Sequence, residues 1–272
     1  MPLAVCATPI GNLDDVTLRV LRELAEAEVV LCEDTRHTKG LLDRHGIAAR
    51  LQSYHRHNEA RRTAELLPRL AAGERIALVS DAGLPGVNDP GARLIAAALD
   101  AGVAVTVLPG ASAVETALVA SGLVGERYQF LGYLPRGEAA LGSLWAELVR
   151  WPHPAVAFES PQRLPASLRS LALVLPERSV AVCRELTKRF EEVVRGSAAE
   201  VAERFAEPPK GEITLVVGGG GAAVDEGGAL EAIEAVVELV EAGVPRRQAA
   251  DVVSRLARIS RNTLYAESLK SR

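Results

Sequence analysis

Charge in this chain is grouped where apolar, strand-like runs end. Glu33-Asp34-Thr35-Arg36 puts two carboxylates and a guanidinium directly after Val29–Cys32. Charged groups there are costly unless solvated, paired or used. A helix N-cap at Asp34 or Thr35 with its own salt bridge is the competing explanation. Phe158-Glu159-Ser160-Pro161, Arg184-Glu185-Leu186-Thr187-Lys188 and Lys210-Gly211-Glu212 repeat the arrangement further along. Such carboxylates can accept protons, and such cations can stabilise a developing anion.

Three other loops offer backbone rather than charge. Ala7-Thr8-Pro9-Ile10-Gly11-Asn12 has one glycine and a rigid proline, so it is neither a Walker loop nor a GxGxxG fingerprint. A nucleoside-triphosphate enzyme is disfavoured. Ser80–Gly91 (SDAGLPGVNDPG) carries three glycines and two prolines, which fixes unusual dihedrals useful for main-chain contacts to a ligand. Pro109-Gly110-Ala111-Ser112-Ala113 opens a helix and suits a carboxylate or an adenosine at a helix N-terminus; a tight turn capped by Ser112 is the alternative. His55-x-His57 faces one side if it lies on a strand, but no third ligand follows at a metal-site spacing, so no metal is expected.

Alternating β and α segments must position these loops. Strands are expected at Leu3–Ala7, Val29–Cys32, Leu51–Tyr54, Arg75–Ser80 and Val103–Leu108, with helices between them. Asn88-Asp89-Pro90 reads as a helix start. These segments form an open, mostly parallel α/β domain of residues 1–122, with ligands at the C-terminal strand edge. Gln129–Leu134, Ala155–Phe158, Ser179–Cys183, Glu191–Arg195 and Ile213–Val217 then form a mixed sheet in residues 123–221. The close pair Ser179–Cys183 and Glu191–Arg195 should be antiparallel. Gly218–Gly221 and Gly227-Gly228 bracket a linker. Helices near Ala229–Glu241, Arg246–Ala257 and Arg261–Leu269 make a helix-turn-helix-like extension over 228–272, turning at Arg258-Ile259-Ser260; a small helical cap on the second domain is the alternative.

The 272 residues include 31 Lys+Arg and 35 Asp+Glu, a net charge of -4, with 48% hydrophobic residues. That is the composition of a folded globular protein. No run reaches the ~18–20 apolar residues of a membrane span, and the N-terminus lacks a secretory pattern, so a cytoplasmic protein is expected. Cys6, Cys32 and Cys183 suit buried free thiols in a reducing compartment. The charge is uneven. Arg36–Arg62 holds seven Lys/Arg against Asp43 and Glu59, plus four of the five histidines; Arg246–Arg272 holds seven against Asp251 and Glu267. Two anion-facing surfaces on an acidic body are therefore compatible with RNA, because binding depends on local phosphate contacts.

ATPIGNLDDVTLR (7–19), EDTRHT (33–38), SYHRHNE (53–59), SDAGLPGVNDPG (80–91), PGASAVETAL (109–118) and RELTKRFEEVVRG (184–196) together resemble the ribosomal RNA small subunit methyltransferase I family. That family lies in the tetrapyrrole-methylase superfamily of S-adenosylmethionine (SAM) enzymes. The resemblance covers essentially the whole chain. It implies a two-domain methylase with SAM between the domains, acting on the ribose 2′-oxygen of a cytidine in the decoding region of 16S rRNA, in naked RNA or the 30S subunit, as a homodimer. Carried over residue by residue, it implies a cofactor pocket of Thr8, Pro9, Ile10, Gly11, Ser80, Asp81, Ala82, Gly83, Val87, Ser112 and Ala113 from the first domain. Phe158, Glu159, Leu186 and Glu212 would complete the pocket from the second. Leu84 and Gly137 depart from the family pattern, where Thr and a basic residue are usual.

A sugar hydroxyl is a poor nucleophile, so a base or cation beside it should help. Asp34 or Glu185 is the expected proton acceptor, and Arg36, Lys188 or Lys210 the expected stabiliser of the developing alkoxide. The rivals are a precorrin-type small-molecule methylase, against which the low aromatic content (4%) counts, and a non-catalytic RNA-binding assembly factor.

Overall fold

The computed structural model describes residues 2–220, 226–257, 259 and 261–269. Strands β1 (Leu3–Cys6), β2 (Val29–Cys32), β3 (Leu51–Ser53), β4 (Ile76–Val79) and β5 (Val105–Leu108) form one sheet in the order β3-β2-β4-β1-β5. All neighbours are parallel. Helices α1 (Leu18–Glu26), α2 (Thr35–Arg44), α3 (Glu59–Ala71) and α4 (Ala92–Asp100) cover its faces. Every residue of β1, β2 and β4 is buried, which explains their unbroken apolar sequences. Side chains alternate across the sheet. Leu3, Val5, Leu31, Ile76 and Leu78 pack with Leu66 and Leu70 of α3 and Leu94 of α4. Ala4, Cys6, Val30, Cys32, Ala77 and Val79 meet Val20 and Leu24 of α1 and Leu42 of α2. Because the strands are parallel, the loops that follow them all emerge at one edge.

The second sheet comprises β6 (Gln129–Tyr133), β7 (Ala155–Glu159), β8 (Ser179–Arg184), β9 (Glu192–Ser197) and β10 (Ile213–Val217), ordered β6-β7-β10-β8-β9. Only β6–β7 is parallel; the other pairs, including β8–β9, are antiparallel. Helices α6 (Glu138–Arg150), α7 (Leu164–Val174) and α8 (Ala198–Arg204) cover one face around the fully buried Trp145. The indole of Trp145 donates to Ser170 Oγ at 3.1 Å.

Helix α5 (Ala113–Ser121) follows β5 in sequence but packs on the second sheet. Its Val114, Ala117 and Leu118 are buried with Val156, Ala181, Cys183 and Val216, and Ile10 and Leu186 join the same cluster. Gly122, left-handed at φ 74, ends the helix. This core therefore joins α5 and the loop after β1 to the second sheet, apart from the two clusters that flank the first sheet.

Several local expectations change. The helix expected from Asn88-Asp89-Pro90 starts at Ala92, with Gly91 (φ 137) at its N-cap. A Cβ on Gly91 would lie 2.9 Å from Leu78 Cδ2, so the loop turns against the sheet before the helix begins. β3 ends at Ser53, so His55 and His57 sit in a turn rather than on a strand face, with their rings in edge contact at 5.9 Å. Helix α9 (Glu226–Glu241) takes in Gly227 and Gly228, which are helical rather than linker. Helices α10 (Arg246–Ala257) and α11 (Arg261–Glu267) share with α9 a small core of Ala232, Val236, Ala249, Ala250, Val253 and Leu264. Gly221, Arg258, Ser260, Lys270 and Arg272 lie outside the described residues. All three cysteines are buried free thiols; burial raises the Cys6 thiol to about 12, which makes it inert. No helix among the described residues is long and apolar enough to cross a membrane.

Ala117 is fully buried, and its carbonyl accepts from Cys183 Sγ at 3.7 Å. Ala117→Leu should overpack this junction and lower stability by about 1–3 kcal/mol. Urea unfolding measures it, and an unchanged midpoint would show that α5 is not tightly seated.

Candidate functional site

The loop after β1 is fixed on both sides. Thr8 and Gly83 exchange backbone hydrogen bonds at 2.8 and 3.1 Å, and Thr8 Oγ1 donates to the Ser80 carbonyl at 3.0 Å. Ser80 Oγ donates to the Gly83 carbonyl at 3.0 Å. Thr8 and Ser80 are buried, so they hold Gly83 (φ 76) rather than facing a ligand. On the other side, a Cβ on Gly11 would stand 2.8 Å from the Leu186 carbonyl oxygen. Asn12 N donates to Thr187 Oγ1 at 2.9 Å. Only glycine admits this approach of the two loops. Gly110 plays a similar part, since its Cβ would meet Ala7 Cβ at 2.8 Å.

These contacts enclose a cleft of about 600 Å³ between the sheets. Of the sequence-derived pocket residues, Ile10, Ala82, Gly83, Val87, Ser112, Ala113, Phe158, Glu159, Leu186 and Glu212 line it. Thr8, Pro9, Ser80 and Asp81 sit behind this wall around a much smaller hollow shared with His37 and Thr38. Asp81 Oδ1 accepts from Asp34 N at 3.1 Å, so that carboxylate orients the start of α2.

The five acid–base candidates do not line the cleft. Asp34 caps α2 by accepting from Arg36 N at 2.8 Å and pairs with the Arg36 guanidinium at 3.0 Å. The hydrogen bond to Arg36 lowers the Asp34 carboxyl to about 2, which makes it a weak base. Glu185 and Thr187 are left-handed at φ 53 and 64. Glu185 Oε1 accepts from Glu212 N at 2.9 Å and Lys188 Nζ at 3.0 Å, and Lys188 also pairs with Glu212 at 3.0 Å. The backbone hydrogen bond from Glu212, joined by Lys188, lowers the Glu185 carboxyl. Burial works against the Lys188 cation, but its hydrogen bonds to Glu212 and Glu185 outweigh that and raise it. This trio braces the loop that carries Leu186. Lys210 stands apart, its carbonyl accepting from Arg184.

Sequence patterns missed other cleft residues. Tyr128, Phe130 and Tyr133 join Phe158 along the second-sheet side of the cleft, with Phe130–Phe158 and Tyr133–Phe158 in edge contact at 5.1 and 5.6 Å. The few aromatics are thus concentrated here, which weakens the low aromatic content as an objection to a flat ligand. Glu115 lines the cleft and accepts from Ser112 and Tyr128. Burial opposes its ionisation, yet these hydrogen bonds lower its carboxyl. Ser112-x-x-Glu115 has capping-box spacing, a signal present in the sequence. Asp89 also lines the cleft. Burial, then the nearby Glu33 and Asp81, raises its carboxyl to about 6.

An ordinary aspartate titrates near 3.8. Between there and about 6 the folded chain holds a proton that the unfolded chain has lost, so stability falls as pH rises through this window. Asp89→Asn removes that cost. The variant should melt higher than the parent at pH 8, by roughly 2–4 °C for ~1 kcal/mol after solvent screening. The advantage should shrink as the pH approaches 4. Equal melting temperatures at every pH would contradict the raised titration.

The family model for tetrapyrrole (corrin/porphyrin) methylases matches residues 2–202. Ribosomal RNA small subunit methyltransferase I of Halalkalibacterium halodurans is 45% identical over 224 residues, 82% of this chain and 78% of that protein. The protein of the same description in Micromonospora olivasterospora is 44% identical over 268 residues, 97% of this chain and 85% of the relative. Among solved structures, uroporphyrin-III-C-methyltransferase from Thermus thermophilus superposes with a TM-score of 0.58 at 24% identity, covering 82% of this chain and 97% of that one. Diphthine synthase superposes at 0.61 with 16% identity, over 80% and 89%. At such identities these two structures show the fold alone. The chain belongs to the tetrapyrrole methylase family and, within it, to the ribosomal RNA small subunit methyltransferase I group.

Proposed function

We propose that the cleft binds SAM and that the protein methylates the ribose 2′-oxygen of a cytidine in the decoding region of small-subunit rRNA. The observation that carries this is the charge of the cleft wall. Its residues include Asp89, Glu115, Glu159 and Glu212 and, among the described residues, no Lys, Arg or His. Such a wall repels phosphate and favours a cation. SAM is phosphate-free and carries a sulfonium, and it supplies a methyl group activated without a metal. A volume of about 600 Å³ suits a nucleoside-sized ligand. Gly83 opens the backbone to it, and the aromatic wall offers rings for an adenine or a target base to stack on.

Basic side chains lie outside the cleft. Arg36, Lys39 and Arg44 of α2 are exposed and pair with Asp34, Asp43 and Asp14. Exposed pairs contribute only about 0–1 kcal/mol, so phosphates can displace them. Arg255 of α10 is likewise an exposed pair, with Asp251. This segregation supports a cationic donor inside and a polyanionic acceptor outside. It also favours RNA over a tetrapyrrole, as do relatives at 44–45% identity described as rRNA enzymes. The buried thiols fit a reducing cytoplasm, and the family resemblance implies a homodimer.

Incubation with methyl-labelled SAM and small subunits tests the assignment. A 2′-O-methyl group blocks alkaline cleavage of the adjoining phosphodiester, so label should be recovered in an alkali-stable dinucleotide containing cytidine. Label in ordinary mononucleotides would contradict it. Gly83→Val should weaken SAM binding by roughly 10-fold or more, through backbone strain at φ 76 and crowding of the cleft floor. Calorimetry checks this, and undiminished affinity would move the cofactor elsewhere.

A further inference from the structure

Phe190, on the loop between β8 and β9, is 64% exposed, whereas Phe130 and Phe158 stand in the cleft wall and Phe205 is buried in the second-sheet core. The guanidinium of its neighbour Arg189, also exposed, lies over the ring, 5.5 Å from the centroid. Among the described residues Arg189 pairs with no carboxylate. A lone exposed apolar side chain needs no explanation. What sets this one apart is the rigidity of the chain that presents it.

Glu185 and Thr187 hold left-handed backbone at φ 53 and 64, conformations that persist in non-glycine residues only where surroundings over-determine them. Lys188 N donates to the Glu185 carbonyl at 3.0 Å and Glu191 N to the Lys188 carbonyl at 3.1 Å. The acidic groups of the loop are engaged within it. Glu185 takes Lys188, the Glu191 carboxylate accepts from Thr187 N at 2.6 Å, and Glu192 pairs with Arg184 and Arg204. Arg189 and Phe190 are left at the tip. Thr187 Oγ1 accepts from Asn12 N, and Asp14, two residues on, pairs with the exposed Arg44 of α2. The tip and the basic face of α2 are thus tied to the same loop after β1. Leu186 of the cleft wall lies four residues from Phe190, roughly 14 Å of chain at full extension.

We propose that Arg189 and Phe190 form a contact for single-stranded RNA at the rim of the cleft. A base next to the target nucleotide stacks on the Phe190 ring, and the Arg189 guanidinium meets the adjoining phosphate. The assignment rests on the rRNA reading above. Unpaired bases stack on aromatic rings and on guanidinium planes, and this stacking tolerates any base because each has a π-face. Cation–π attraction holds the two side chains together before RNA arrives. In an apolar contact between copies of the chain, an unpaired guanidinium would lose its water without gaining a partner; a polyanion supplies that partner. The exposed cations of α2 offer further contacts for phosphates of the same strand.

Methylation of small subunits at saturating SAM, with KM and kcat measured separately, tests the contact in Phe190→Ala, Phe190→Tyr, Phe190→Leu and Arg189→Gln. The ring is exposed, so the variants should melt as the parent does. Phe190→Ala should raise KM for subunits roughly 10-fold or more, with kcat and the calorimetric affinity for S-adenosylhomocysteine unchanged. Phe190→Tyr should keep the parent KM because its ring still stacks, whereas Phe190→Leu should behave as Phe190→Ala. Arg189→Gln should raise KM and lessen its dependence on salt. A parent-like KM in Phe190→Ala, with label still in alkali-stable dinucleotides, overturns the contact and leaves the ribose reading intact. A parent-like KM in Phe190→Leu overturns it too, as does a changed sedimentation mass in Phe190→Ala, which would put the ring between copies. A raised KM in Phe190→Ala with label on the RNA but off the ribose upholds the contact and overturns the ribose reading alone. No label on RNA from the parent protein overturns both.

Discussion

The structure depends on a seam one glycine wide. The loop after β1 is held to Gly83 by Thr8 on one side and to the Leu186–Lys188 loop by Gly11 and Asn12 on the other. A side chain at Gly11 would have to displace a backbone carbonyl, which has no rotamer to yield. Behind the seam, α5 joins Ile10 of the loop after β1 and Leu186 in a core packed on the second sheet. The cleft is the space left in front of these contacts, so its shape is set by backbone and apolar packing rather than by its polar residues.

Electrostatics then sorts what enters. The ion clusters near the cleft, the pair Asp34–Arg36 and the trio in which Lys188 bridges Glu185 and Glu212, serve as braces. The cleft wall itself presents four carboxylates; Glu159 and Glu212 pair with Arg163 and Lys188 from behind the wall, and Asp89 and Glu115 have no ion-pair partner among the described residues. Isolated carboxylates in a partly desolvated wall are unfavourable. The structure accommodates them by hydrogen-bonding Glu115 and Glu159 and by raising the proton affinity of Asp89. A cationic donor relieves what remains, so cofactor charge and wall charge belong to one design.

Much of the fold was legible because β1, β2 and β4 are buried on both faces and must therefore be apolar throughout. The antiparallel β8–β9 pair was legible from its short connection. Periodicity does not say which sheet a helix will join, and α5 crosses to the second. Asn88-Asp89-Pro90 carries helix-start residues, yet the close approach of Gly91 to Leu78 delays the helix. The site was half legible. Loop composition singled out the loops of Gly83 and Ser112, and the family resemblance added Leu186, but position at strand ends overrated Asp34 and Glu185, whose partners quench them. The environment of Asp89 comes from burial first and then from Glu33 and Asp81, all of which arise only through the fold.

The central claim is that the cation-free cleft between the sheets holds the methyl donor. A crystal structure with S-adenosylhomocysteine tests it most directly. The account predicts the ligand between the Gly83 loop and Leu186, against the backbone of residues 110–113, with no basic side chain touching it. Ligand bound on the α2 surface, or held in the cleft through an arginine or lysine, would contradict it.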